Sequence, residues 1–292
     1  MSTPPPPYAA PQQPPATPDW QAAPAGPGYT SPIPVRRAHL GDALASEWTK
    51  IRSVRSTMWT LGVMIVLMLG IGLASAAVVS AADTTKPNSD EVLGLGFFGV
   101  LLGSICVMTL GVLTIASEYG TGMIRTTMTA CSSRSRVLAA KAIVFFGLVF
   151  VLTTVLAGVV GALQVSILDV ESPDGSAWLK ATVGVGLFVA LLGLLGLAMG
   201  TLVRHSAGAI TIMIGVVLLP LVLAMFMFSE SLKDLQQALF EYSVPSQLAV
   251  LYGNAVSGSD SGPTGWDPLW IILVITGVAI GGAFATLNSR DV

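Results

Sequence analysis

The chain has 292 residues, of which 53% are hydrophobic and 10% charged, and its mean hydropathy is +0.75. A water-soluble domain carries about 25% charged residues, so the medium for most of this chain is lipid. The net charge of −2 offers no clustered basic face, which excludes nucleic acid as a partner. Cys106 and Cys131 fall in an apolar run and a basic loop, and His39 and His205 lie far apart in sequence, so neither a disulfide nor a metal site is expected.

Residues 1–38 hold most of the prolines, mixed with Ala, Gln and Gly, and read as a disordered tail that cannot bury enough surface to fold. From His39 to Arg55 the pattern becomes helical: Leu40, Leu44, Trp48 and Ile51 recur on one side, with Asp42, Glu47, Lys50, Arg52 and Arg55 between them. This amphipathic helix is expected to rest in the headgroup plane with its apolar face down. Six apolar runs follow, at 58–79, 92–116, 142–168, 181–203, 207–228 and 269–287, each free of Asp, Glu, Lys and Arg. Each is near the roughly 20 residues that a helix needs to cross a hydrocarbon core about 30 Å thick. Ser206 is expected to cap the fifth span, and Asp267 followed by Pro268 to open the sixth. Only Arg204, His205 and Ser206 separate spans four and five, which makes those two an antiparallel hairpin. Within spans, Gly99 with Gly103, Gly196 with Gly200 and Gly277 with Gly281 place small residues on one helix face and point to close packing.

Lys and Arg are retained on the cytoplasmic side of short loops. The segments before span one, after spans two and four, and after span six hold eleven of the 14 basic residues and five of the 16 acidic ones. Both termini are therefore expected in the cytoplasm. Trp59 then lies at the inner interface, and Trp178, Trp266 and Trp270 at the outer one.

Carriers driven by protons or sodium generally use ionisable groups inside their spans, and these spans have none; Glu118 stands at the inner end of span two. No nucleophile and base share a span, so no catalytic residue is assigned. None of the five lysines follows a glycine, so no P-loop is present and any ATP is handled by another polypeptide.

Three stretches resemble the membrane subunits of bacterial type-2 ATP-binding-cassette (ABC-2) exporters: Ala45-Ser46-Glu47-Trp48-Thr49-Lys50 before span one, Ser117-Glu118-Tyr119-Gly120-Thr121-Gly122 leaving span two, and Ser135-Arg136-Val137-Leu138-Ala139-Ala140-Lys141 entering span three. The resemblance covers residues 40–292. It implies that the loop after span two forms a coupling helix docking on a separate ATPase subunit, with Glu118, Gly120, Thr121, Arg136 and Lys141 matching that pattern. It also implies a second copy of this or a similar permease, with ATP and Mg on the partner and no cofactor in this chain. The chain departs from the family where a proline often closes the loop; here stand Cys131-Ser132-Ser133.

The fold expected is all-α and transmembrane: a six-helix polytopic domain over 39–292, an N-terminal interfacial helix, and a short helical hairpin between spans five and six. Leu232, Leu235 and Leu239, then Leu248, Val250 and Leu251, mark that hairpin on either side of Pro245. The function expected is that of an exporter permease for a hydrophobic or lipid-like substrate in the bacterial inner membrane. A non-transporting membrane anchor or regulatory subunit remains the alternative, and no substrate-binding residue is assigned.

Overall fold

The computed structural model describes residues 39–82, 87–124, 126, 134–254 and 262–289; the Pro-rich tail lies outside them. The described residues form helices and connecting turns, with no strand among them. In chain order the main helices are α1 (Leu40–Ser53), α2 (Arg55–Ala81), α3 (Phe97–Gly120), α4 (Arg134–Leu168), α5 (Val185–Val203), α6 (Ser206–Met225), α7 (Lys233–Glu241), α8 (Val244–Leu251) and α9 (Asp267–Ser289). A 3-10 stretch, Leu93–Gly96, leads into α3, and a π-helical turn, Lys180–Gly184, leads into α5. Six helical runs are long and apolar enough to cross a membrane: Arg55–Ala81, Leu93–Gly120, Ser135–Leu168, Gly175–Val203, Ser206–Met225 and Asp267–Leu287.

The fourth of these runs is the axis of the bundle. Phe188, Val189, Leu192, Leu197 and Ala198 of α5 are all essentially buried, and α3, α4 and α9 pack around them. Glycine makes the α3–α5 contact possible. A Cβ at Gly196 would stand 2.6 Å from the Met108 carbonyl oxygen, one at Gly200 2.9 Å from that of Val112, and one at Gly111 would overlap the Gly193 carbonyl. Gly99 lies as close to α2, where a Cβ would be 2.9 Å from the Met68 carbonyl. Among the described residues a Cβ at Gly277 or Gly281 would meet nothing within 4 Å, so the third glycine pair makes no close helix contact there. Helices α2, α6 and α9 expose much of their apolar surface, including Val66, Phe228 just beyond α6, and Val278, as helices bordering lipid do.

Helix ends depart from the expected ones in informative ways. His205, not Ser206, caps α6: its Nδ1 accepts the Gly208 N–H at 3.1 Å, and Ser206 is the first helical residue. The imidazole does here what a serine hydroxyl was expected to do. Residues 134–141 are helical rather than loop, because Val137, Leu138 and Ala140 are buried and carry α4 well past the apolar stretch. Between α7 and α8 the chain turns at Tyr242 and Ser243. The Ser243 hydroxyl accepts from the Ser246 N–H, and Pro245 occupies the first turn of α8 rather than the bend itself.

Candidate functional site

Helix α1 stops at Val54, whose φ of −83° and ψ of 114° break the helix before α2 begins. The face that α1 turns inward is Ala43, Glu47 and Ile51, one residue back from the Leu44 and Trp48 stripe. Leu40 and Trp48 stay more than 40% exposed, so the apolar stripe expected to rest among headgroups is only partly covered by protein. The inward stripe has an acid at its centre.

That acid is part of a network of four charges. Lys141 Nζ, on the second turn of α4, donates to Glu47 Oε2 at 2.6 Å and to Glu118 Oε1 at 2.9 Å, the latter near the end of α3. Lys50 Nζ, one turn beyond Glu47 on α1, donates to Glu47 Oε1 at 2.8 Å and to Glu118 Oε1 at 3.1 Å. Lys141, Glu47 and Glu118 are 2%, 4% and 6% exposed, while Lys50 reaches partly into solvent. Burial alone would lower the Lys50 pKa, but the Glu47 and Glu118 carboxylates outweigh it and hold the ammonium above its usual range. Two cations and two anions cancel, which is the condition for burying them at tolerable cost. Lys141 is long enough to reach both carboxylates only because α4 begins before the apolar stretch.

Glu118 and Lys141, two of the residues singled out in the sequence, are thus in direct contact although 23 positions apart. Gly120 ends α3 with open space around it, and exposed Thr121 folds its hydroxyl back onto the Ser117 carbonyl at 2.8 Å. The chain then leaves the helix through Gly122 at φ +72°, a conformation suited to glycine. Arg136 lies half-buried near the start of α4. Met123, Ile124 and Thr126 are helical, but residue 125 and 127–133, which complete the expected coupling helix, lie outside the described residues. Beside the network, the Arg204 guanidinium stands 5.2 Å from the centre of the Tyr119 ring, and Arg204 takes φ +56° at the end of α5. The basic turn between spans four and five is thereby held against the end of α3.

Glu47 and Lys50 lie within the Ala45–Lys50 motif, but the resemblance does not single them out as site residues. The available signal was an acid at the i+4 position from Ala43 and the i−4 position from Ile51, a spacing that puts all three on one face. Among the described residues no group of His, Cys, Asp and Glu has the arrangement to hold a metal ion.

Six membrane-length helices, the fourth of them buried among the others, with a neutral charge network tying α1 to the ends of α3 and α4, define an integral, polytopic all-α membrane protein. Residues 43–229 match the family model described as ABC-2 family transporter protein. The chain belongs to the ABC-2 transporter family. The matched residues take in most of α1, the four charges and spans one to five. No curated protein matches the sequence.

Proposed function

We propose that this chain is the permease half of an ATP-driven exporter in the bacterial inner membrane, with both termini cytoplasmic. On this reading it pairs with a second permease copy and with separate ATPase chains that carry the ATP and Mg. The observation that carries it is the charge network, which fastens α1, the end of α3 and the start of α4 where the loop between residues 122 and 134 leaves the bundle. A force applied to that loop by a partner would reach three helices at once through short, buried contacts. Glu118 and Lys141 would fix the two ends of the loop, and Gly120, Thr121 and Arg136 would shape the docking segment. Spans without charge favour a hydrophobic or lipid-like cargo, which needs no compensation for buried ions. Residues 1–38 would form a tail outside the permease domain.

The test is reconstitution in proteoliposomes with the cognate ATPase. Co-purification, and a hydrolysis rate that changes when the permease is present, support the reading. A loop-scrambled variant that retains the network but still binds and stimulates the ATPase would overturn it, and so would a wild-type chain that does neither. A chain that binds a partner protein but leaves ATP hydrolysis unchanged would favour the membrane-anchor alternative.

A further inference from the structure

Gly96 ends the 3-10 stretch before α3 at φ −74° and ψ −14°, an ordinary helical conformation, so the backbone makes no demand for glycine there. What its bare Cα leaves is space. A cavity with about 10 Å³ open to the centre of a water molecule lies against it, walled by Met68, Leu93, Val100 and Val160 and by two polar side chains, Gln164 of α4 and Tyr252 just past α8. One water needs roughly 10–15 Å³ by that measure, so the cavity takes a single molecule.

Both polar side chains have a donor to spare. Gln164 is fully buried, and its Nε2 donates one N–H to the Gly72 carbonyl at 2.8 Å. That bond fixes which end of the amide is nitrogen and leaves the second N–H without a partner among the described residues. Gln164 Oε1 is unpaired too, but it is sealed by its neighbours and takes no part. Tyr252 is 5% exposed and its hydroxyl makes no hydrogen bond to a described residue. Burial pushes the phenol pKa well up, so the proton stays on and is there to donate. A Cβ on Gly96 would stand 3.6 Å from Tyr252 Oη and 3.9 Å from Gln164 Nε2, so both groups lie within 4 Å of one point beside the cavity. Buried donors cost stability unless something accepts from them, and a water oxygen can accept from two.

We propose that this cavity is a binding site for one ordered water, which accepts from Tyr252 Oη and Gln164 Nε2 and so joins the end of α8 to α4 and, through the Gly72 carbonyl, to α2. Two polar partners are the fewest that hold a buried water. A purely apolar void stays dry, whereas a dry one here would strand both donors. A source of water lies next to it. A wider cavity of about 340 Å³, bordered by exposed Asp174 and by Lys180, shares Leu93, Ala181 and Tyr252 with the small one, so that wall alone divides the site from solvent. The hairpin therefore rests on spans one and three through a bridge that exchanges past Tyr252. The inference rests on packing and not on coupling to ATP, so either can fail without the other.

The experiment compares thermal midpoints of the purified full chain in detergent for wild type, Gly96→Ala and Gly96→Ser, and determines the wild-type structure at a resolution that shows ordered waters elsewhere in the chain. An alanine methyl at 96 meets its neighbours at ordinary contact distance, so it fills the site without a clash and expels the water. It should lower the midpoint by about 3 °C or more, the effect of stranding two donors in a domain of this length. A dry cavity predicts the opposite sign, since filling it and replacing a glycine in a helical stretch both stabilise. Serine is larger than alanine, yet its hydroxyl takes the place of the water and should return most of the loss. The wild-type density should show one peak within about 3.2 Å of both Tyr252 Oη and Gln164 Nε2. Gly96→Ala as stable as wild type or more so, serine no better than alanine, or no peak at the wild-type site would each overturn the proposal. Should either variant not fold, the wild-type density decides alone: a peak supports the site and its absence overturns it.

Discussion

Replacing Lys141 with methionine keeps the length of the side chain and removes its charge. Glu47 and Glu118 would then remain buried with only Lys50, which is already bound to both and partly in solvent. Removing one partner from a buried ion pair costs about 3–5 kcal/mol, because the charge left behind stays desolvated. Two carboxylates sharing the lost ammonium put this case at the upper part of that range. At about 2–4 °C per kcal/mol for a domain of this size, the apparent unfolding midpoint in detergent should fall by roughly 6–20 °C. Helix α1 should also loosen, so that trypsin cuts faster at Arg52 and Arg55, both exposed around the break at Val54. The triple variant Glu47→Gln/Glu118→Gln/Lys141→Met removes the stranded charges together and should recover most of the loss. A midpoint within about 2 °C of wild type for Lys141→Met alone, less than 1 kcal/mol at that scale, would refute the view that these charges are buried and mutually dependent.

Lys50→Met should cost far less than Lys141→Met, about 1 kcal/mol or below, since a partly exposed pair is screened by solvent; equal losses in the two variants would contradict the burial order. The raised Lys50 pKa means that the folded form holds its proton more tightly than the unfolded one. Its stabilisation is therefore complete below the ordinary value of 10.5 and fades only as the pH rises through the folded-state value. The midpoint difference between wild type and Lys50→Met should accordingly be the same at about pH 7.5 and 9.5 and shrink only in stronger alkali, as thermal scans across that range would show. Gly196→Val should separate α3 from α5 and destabilise by about 1–3 kcal/mol or prevent insertion altogether, whereas Gly281→Val, at an open position, should leave the midpoint unchanged. His205→Ala should lose the cap of α6 at a cost of about 0.5–2 kcal/mol, and His205→Asn should restore it, both read as shifts in thermal midpoint.

The spans were legible because lipid permits so few backbone solutions: a charge-free run of about 20 residues has to be a helix. Their ends were not, since an apolar window stops at the last hydrophobic residue, while a helix stops where its hydrogen bonds and packing run out. Lys141 shows the difference. Read along the sequence it closes a loop; in the structure it sits on the second turn of α4, at 2% exposure, with two acids around it. Glu118 is the charge nearest a span, and its position at the inner end of span two is readable from the sequence. Glu47, held by the same two lysines as Glu118, is hidden by the more obvious Leu44 and Trp48 stripe. An amphipathic pattern names the apolar face, but which face is buried depends on what packs against it, and α4 packs on the stripe beside it.

The glycines divide the same way. Three pairs share one spacing, and sequence cannot rank them because the spacing says only that close approach is possible. Two of the pairs are used: Gly99 lets α3 meet α2, and Gly196 with Gly200 lets it meet α5, in each case at carbonyl contact distance. With helices that close along their length, sliding of α3 against α5 would force backbone through backbone, so the pair moves as one body or not at all. The charge network has no such limit, because Lys50 and Lys141 each bridge Glu47 on α1 to Glu118 on α3, and long lysine stems can follow a carboxylate through small displacements. A displacement delivered at the loop after α3 would then be absorbed between α1 and the bundle rather than within the α3–α5 core. Crosslinking α1 to α4 should therefore block a cycle driven from that loop, and crosslinking α3 to α5 at positions other than the packed glycines should leave it running. A cycle stopped by the second crosslink and not by the first would place the moving joint in the core and sink this assignment.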